Sequence, residues 1–343
     1  MRLAAVLLTW LVALPACADV SLRIDPGQAL AILDAMSRKD AAAADDIAAM
    51  HGTRELVAHH APFSDQVTLE HFRASLGDAL AGKPRSDLWG FDRLVENAAA
   101  VRASVAQIAG DPAAFGKALE AIIAPYTPAG LELSIDVGLV IGTPGAGWTD
   151  RPGEFFFDVG RPAGDLEGIK VVCAHELYHL VMARLQAAPK LAEDDALGRL
   201  ERVLLGAIDE GMASHVARFT RGETGATSRA GLRYERLNAD RMRENFRLVD
   251  AMILAMLRSG AVTADDVDRI AFGGAFDEPG YYVFREMAAG IEAARGRETL
   301  VRLAGGSPAA FVLAYHDSAP AEALRLHEET LAQVRALEAQ SAP

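Results

Sequence analysis

The sequence predicts an α+β fold that is mostly α-helical, with a small β-sheet beside one central helix. Three observations carry this expectation. Apolar residues recur at helical spacing through most of the chain. Two short segments break that rhythm with strand-like patterning. No repeat period or linker divides the chain into separate units. The 343 residues are 51% hydrophobic and 24% charged, which supports a sizeable core and excludes a disordered chain.

Taken in order, residues 1–18 read MRLAAVLLTWLVALPACA. Arg2 is a short positive region, and Leu3 to Leu14 form an apolar stretch of signal-peptide length. It is too short for a comfortable membrane span. Ala16-Cys17-Ala18 fits small-x-small cleavage and would leave Asp19 as the new N-terminus. Leu14-Pro15-Ala16-Cys17 also has the look of a bacterial lipobox, which would leave a lipid anchor on Cys17. Pro15 fits that pattern poorly, so simple export, periplasmic or secreted, leads and a membrane-anchored lipoprotein is the alternative. A buried N-terminal helix is the third reading. Once the segment is removed behind Ala18, Cys173 is the remaining cysteine and no intramolecular disulfide can form. No later stretch reaches the roughly 18 uninterrupted apolar residues of a membrane span.

Residues 19–125 are expected to form an N-terminal helical region. Asp25-Pro26 opens its first helix, and Ala29, Leu30, Ile32, Leu33 and Met36 give that helix an apolar face. Pro62, Pro84 and Pro112 punctuate the rest of this region, and Leu94, Val95, Val101, Val105 and Ile108 keep the helical spacing. Residues 126–343 continue the same body. Leu131 to Ile141 alternates and then runs apolar, as a strand does. A Gly/Pro-rich turn occupies Gly142 to Gly153, and Glu154 to Asp158 reads as a second strand. A helix from about Asp165 to Ala188 comes next, capped by Asp165 and closed by Pro189. The acidic loop Glu193-Asp194-Asp195 leads into another helix reaching about Thr220. Gly222 to Ser228 is a loop. Two or three further helices complete the chain, broken near Gly260, Gly273-Gly274, Pro279-Gly280 and Gly305-Gly306.

Charge narrows the function. Lys and Arg total 34 against 47 Asp and Glu, a formal −13. Nucleic acid demands a basic face, so it is excluded as a partner, and so is polybasic attachment to a membrane surface.

The chemistry concentrates in His175-Glu176-Leu177-Tyr178-His179. Residues i and i+4 lie one turn apart on one helix face, so both imidazoles can reach one metal ion. Neutral imidazole suits Zn²⁺. Glu176 sits about 100° round the helix, where it can touch water beside the metal as a general base. The flanks Val171, Val172, Ala174, Leu180, Val181 and Met182 are apolar, and histidines on so apolar a helix need partners. Cys173 points away from the pair and reads as core. His59-His60 fits no metal spacing and reads as surface; His215, five residues past Glu210, reads as structural, with a place lining the site as its alternative, and His316 has no visible partner.

A catalytic zinc needs a third ligand and an open position. Glu210 and Glu201 both sit on the downstream helix. Gly206-Ala207-Ile208-Asp209-Glu210-Gly211-Met212-Ala213-Ser214 resembles the third-ligand helix of the gluzincin metallopeptidases, in which a Glu before a small residue supplies the last ligand. The resemblance favours Glu210 over Glu201, and Gly211 is expected to let the His and Glu helices approach closely. In the thermolysin-like pattern an Asp four residues after that Glu supports a ligand. Here Ser214 stands there, so Asp209 becomes the candidate support, with a plain surface charge as its alternative. The resemblance also implies that Tyr281 or Tyr282, after Pro279-Gly280, hydrogen-bonds the oxyanion; core packing is the alternative for both rings. The order of parts, with Gly296-Arg297-Glu298, Phe311 and Tyr315 after them, resembles exported bacterial zinc-dependent peptidases of uncharacterised function. It implies a zincin-like body with residues 126–343 as the catalytic region, one zinc ion on His175, His179 and Glu210, Glu176 as base, and a peptide or protein substrate. Two other classes stay open: an inactive zinc-containing binding or structural protein, and a di-iron helical protein using Glu176-x-x-His179.

Overall fold

The computed structural model describes residues 19–219, 225–259, 262–274 and 277–341. The expected export segment, residues 1–18, lies outside the described residues. The chain runs β1 (Asp19–Asp25), α1 (Gly27–Arg38), α2 (Ala43–Ala49), α3 (His51–His60), α4 (Leu69–Leu80), α5 (Phe91–Gly110) and α6 (Pro112–Ile123). It continues through β2 (Glu132–Val140), β3 (Gly147–Trp148), β4 (Glu154–Asp158), α7 (Leu166–Leu185) and α8 (Ala196–Val216). It ends with α9 (Ala226–Asp240), α10 (Met242–Ser259), α11 (Ala264–Ala271), α12 (Pro279–Arg295), α13 (Arg297–Ala304), α14 (Pro308–Ser318) and α15 (Glu328–Ser341). The fold is α+β and mostly helical, as the sequence predicts.

The four strands form one sheet in the order β1-β2-β4-β3. β1 and β2 pair in parallel from Asp19 opposite Glu132 to Asp25 opposite Gly138. β2 and β4 pair in parallel from Asp136 opposite Glu154 to Val140 opposite Asp158. β3 closes the edge, antiparallel to β4. Phe155, Phe156 and Phe157 are all buried, so β4 is covered on both faces. Gly138 makes room for Phe156: a Cβ there would lie 2.6 Å from the ring.

Two strands depart from expectation. The pattern before α1 reads as helical, but Val20, Leu22 and Ile24 alternate with exposed residues in a half-buried strand. Pro26 then ends it and the Asp25 carboxylate takes the N–H of Gly27 at 2.9 Å. The Gly/Pro-rich turn also yields β3, whose two residues gain their hydrogen bonds from β4.

Asp165 caps α7 through the N–H of Gly168 at 2.9 Å, as expected, while the helix stops at Leu185, short of Ala188. Asp195 caps α8, which ends at Val216, before Thr220. One hydrophobic core runs from Val20 to Leu337 and encloses α7, α8 and α12. Gly211 serves a contact other than the expected one. A Cβ there would lie 2.4 Å from Phe284 Cβ and 2.7 Å from its backbone carbon. It therefore brings α8 against α12, which carries both candidate tyrosines.

Candidate metal centre

α7 presents His175 and His179 one turn apart, with ring centroids 5.0 Å from each other. α8 brings Glu210 to the same place. Its Oε2 lies 3.4 Å from His175 Nε2 and 3.5 Å from His179 Nε2. One ligand atom from each of the three residues falls within 4.8 Å of the others. Glu210 Oε2 is buried without a hydrogen-bond partner. A buried, orphaned carboxylate oxygen facing two imidazole nitrogens is costly unless a cation joins them. The donor set, two nitrogens and one oxygen, fits a zinc ion with a position left open.

Asp209 supplies the support. Its Oδ1 takes the Nδ1 proton of His179 at 2.9 Å, which leaves Nε2 turned toward Glu210. Burial works against protonating His179, yet Asp209, Glu210 and Glu176 outweigh it and raise the ring to about 9. The same anionic field favours a metal ion. Burial acts to raise Glu210 as well, but His175 and His179 hold its carboxyl below the ordinary value. Glu201 is elsewhere: buried, it accepts the N–H groups of Lys190 and Leu191 at 2.9 Å each and pins the loop before α8.

Glu176 faces the wall of a cavity of about 240 Å³ together with His175, Tyr281 and Tyr282. Burial raises its carboxyl above the ordinary range, with Glu210 and Asp209 adding to the effect. β3 lies directly against it: a Cβ on Gly147 would come within 3.3 Å of Glu176 Cβ. Sequence reasoning misses Gly147, whose only signal is the cluster of glycines around it. The two tyrosines diverge. The Tyr281 ring lies 6.0 Å from His175, and its phenol interacts with Glu210. Tyr282 has the Arg285 guanidinium 5.7 Å from its ring centre.

The other histidines build scaffold. The pattern places His59 and His60 at the surface, but His60 is buried, shares a 2.7 Å hydrogen bond with Thr143 and is pushed by burial to about 4. His59 stacks on Trp148 at 5.5 Å and meets Asp150 at 2.9 Å, so the pair steadies β3. His215 Nε2 donates to Glu292 at 2.6 Å, while Nδ1 accepts from Arg218. Tyr126 at 3.2 Å and Arg297 at 2.9 Å converge on the same Glu292 carboxylate, tying α8, α12 and α13 together. Cys173 is fully buried core, and His316 is buried as well.

No curated protein and no solved structure matches the chain. The model of the family described as "Putative zinc dependent peptidase (DUF5700)" matches residues 44–323, and the whole His175, His179 and Glu210 cluster lies within that span. Since the match covers well over half of the sequence, the chain belongs to that family.

Proposed function

We propose that the protein is an exported zinc metallopeptidase of the gluzincin type, acting on a peptide or protein substrate. One observation carries the reading: the buried, unpartnered Glu210 oxygen facing His175 and His179, with Glu176 beside them at a cavity. His175, His179 and Glu210 would hold one zinc ion. Bound there, zinc would polarise the scissile carbonyl and acidify water. Glu176, its proton affinity raised by burial, takes the proton of the attacking water and returns it to the leaving amine. Asp209 fixes the His179 ring. Tyr281, close to His175 and Glu210, donates its hydroxyl to the oxyanion. Tyr282 faces Arg285 instead. Export rests on residues 1–18, and mass spectrometry of the mature chain separates cleavage behind Ala18 from a lipid on Cys17.

Glu176→Gln tests the chemistry apart from the binding. All three ligands remain, so zinc should stay at one per chain while cleavage of a peptide library falls by about 10²–10⁴. Full activity in the variant would refute the mechanism. A wild-type protein that holds zinc and cleaves nothing would favour a binding role.

A further inference from the structure

Glu278 lines the same cavity, where the other charged groups already have work. Glu176 is the proposed base. Glu235 and Arg285, both at the cavity wall, pair with each other at 2.9 Å. Among the described residues, no hydrogen bond or ion pair engages the Glu278 carboxylate, although it is half-buried and within electrostatic reach of His175 and Glu210. Its position at the start of α12 would ordinarily give it a partner, because a carboxylate before a helix accepts the first free N–H groups. Here no such bond forms, and Pro279 supplies no N–H at the first helical position.

The backbone holds the residue in this arrangement. Asp277 and Glu278 are both left-handed, with φ of 58° and 59°, a conformation costly for side-chain-bearing residues. Their surroundings over-determine it: Arg241 binds the Asp277 carboxylate at 2.7 Å, and Asn238 donates to its carbonyl at 3.2 Å. Asn238 is in turn held by Asn245 at 2.8 Å. The charge balance points the same way. A divalent ion with Glu210 leaves one positive charge, which Glu176 cancels. Glu235 and Arg285 cancel each other. Glu278 then leaves the cavity one negative charge in excess.

We propose that Glu278 is a specificity residue, an anionic subsite that receives a cationic group of the peptide substrate beside the scissile bond. This rests on the peptidase reading above. The cation is an ammonium or guanidinium, carried by a Lys or Arg side chain or by a free N-terminus.

The test measures binding, independent of turnover, on the zinc-loaded chain carrying Glu176→Gln, in which Glu176 contributes no charge and any preference reads Glu278 itself. Matched peptides place Lys, norleucine or Glu at each successive position, each with a free or an acetylated N-terminus. Affinity is read by calorimetry. Peptides with a cation in one register should bind roughly tenfold more tightly than their norleucine counterparts. If acetylation abolishes the preference, the N-terminus is the source; if only Lys replacement does, the side chain is. Adding Glu278→Gln should remove the preference, and Glu278→Lys should transfer it to the Glu peptides. Circular dichroism and zinc content of both variants confirm that they fold. Binding without charge preference, or a preference that survives Glu278→Gln, overturns the subsite alone. Failure to bind any peptide overturns the peptidase reading and the subsite with it.

Discussion

Two glycines on α8 make a controlled experiment on how the site is assembled. At Gly211 an added Cβ would sit 2.4 Å from Phe284 Cβ, 2.7 Å from the Phe284 carbonyl carbon and 3.0 Å from Arg285 N. Two of these are backbone atoms of α12, so no rotamer change relieves the clash and the helices must separate. Overpacking of this kind costs about 1–3 kcal/mol. At exposed Gly206, five residues earlier on the same helix, an added Cβ meets nothing within 4 Å. Alanine there should stabilise by up to about 1 kcal/mol through backbone entropy. At roughly 2 °C per kcal/mol for a chain of this size, Gly211→Ala should lower Tm by roughly 2–6 °C and Gly206→Ala should raise it by up to roughly 2 °C. Calorimetric melts with parallel zinc analysis are the assay. Zinc should be retained in both variants, because the three proposed ligands sit on α7 and α8, whereas the clash displaces α12. Peptidase activity should fall only in Gly211→Ala, since α12 carries Tyr281. Equal Tm shifts in the two variants would refute the close-packing argument. Zinc loss at unchanged Tm in Gly211→Ala would show that the glycine serves the ligands directly.

Elemental analysis should give one zinc in the wild type and a marked loss in Glu210→Gln. Glu201→Gln should keep its zinc and lose about 1 kcal/mol of stability, because it weakens acceptance of two backbone N–H groups. Tyr281→Phe should slow cleavage by about 10²–10³ without metal loss, and Tyr282→Phe should stay near wild type; the opposite ranking would move the oxyanion donor to Tyr282. Three buried histidines should act to destabilise the fold in acid. Burial holds His60, His215 and His316 at about 4, below the ordinary 6.5, so the unfolded chain binds more protons between those values and stability falls as pH drops through that window. Asp158, raised to about 6 by burial, acts in the opposite sense, gaining stability as pH falls below 6, and Glu176, Asp268 and Glu278, also raised by burial, act with it, so the histidine contribution is read from a single-site variant. Denaturant melts from pH 7 to pH 5 should show a pH slope smaller by up to one proton in His60→Gln than in wild type. Identical slopes would mean that His60 is not held neutral by burial.

What the residue pattern shows directly is local. Helical periodicity, the cap at Asp165, and the strand at residues 154–158 arise from interactions within a few residues, and the structure places them close to where the pattern does. The His175 and His179 pair is of the same kind, because one helical turn fixes the spacing of the imidazoles wherever the helix sits. What depends on partners distant in the chain emerges from the packing of the elements. β1 reads in the sequence as part of a helical region, because a strand exists only when another strand satisfies its backbone, and its partner lies more than a hundred residues away. β3 is two residues long and owes its existence to β4. Glu201 and Glu210 are the same residue type on one helix. Their separation into a loop anchor and a member of the His cluster came from what α8 packs against. Asp209 could equally have been a solvated charge until α8 was set against α7. Gly211 announced close packing, but which helix approaches is a property of the assembled core, where α12 presents its backbone to that glycine.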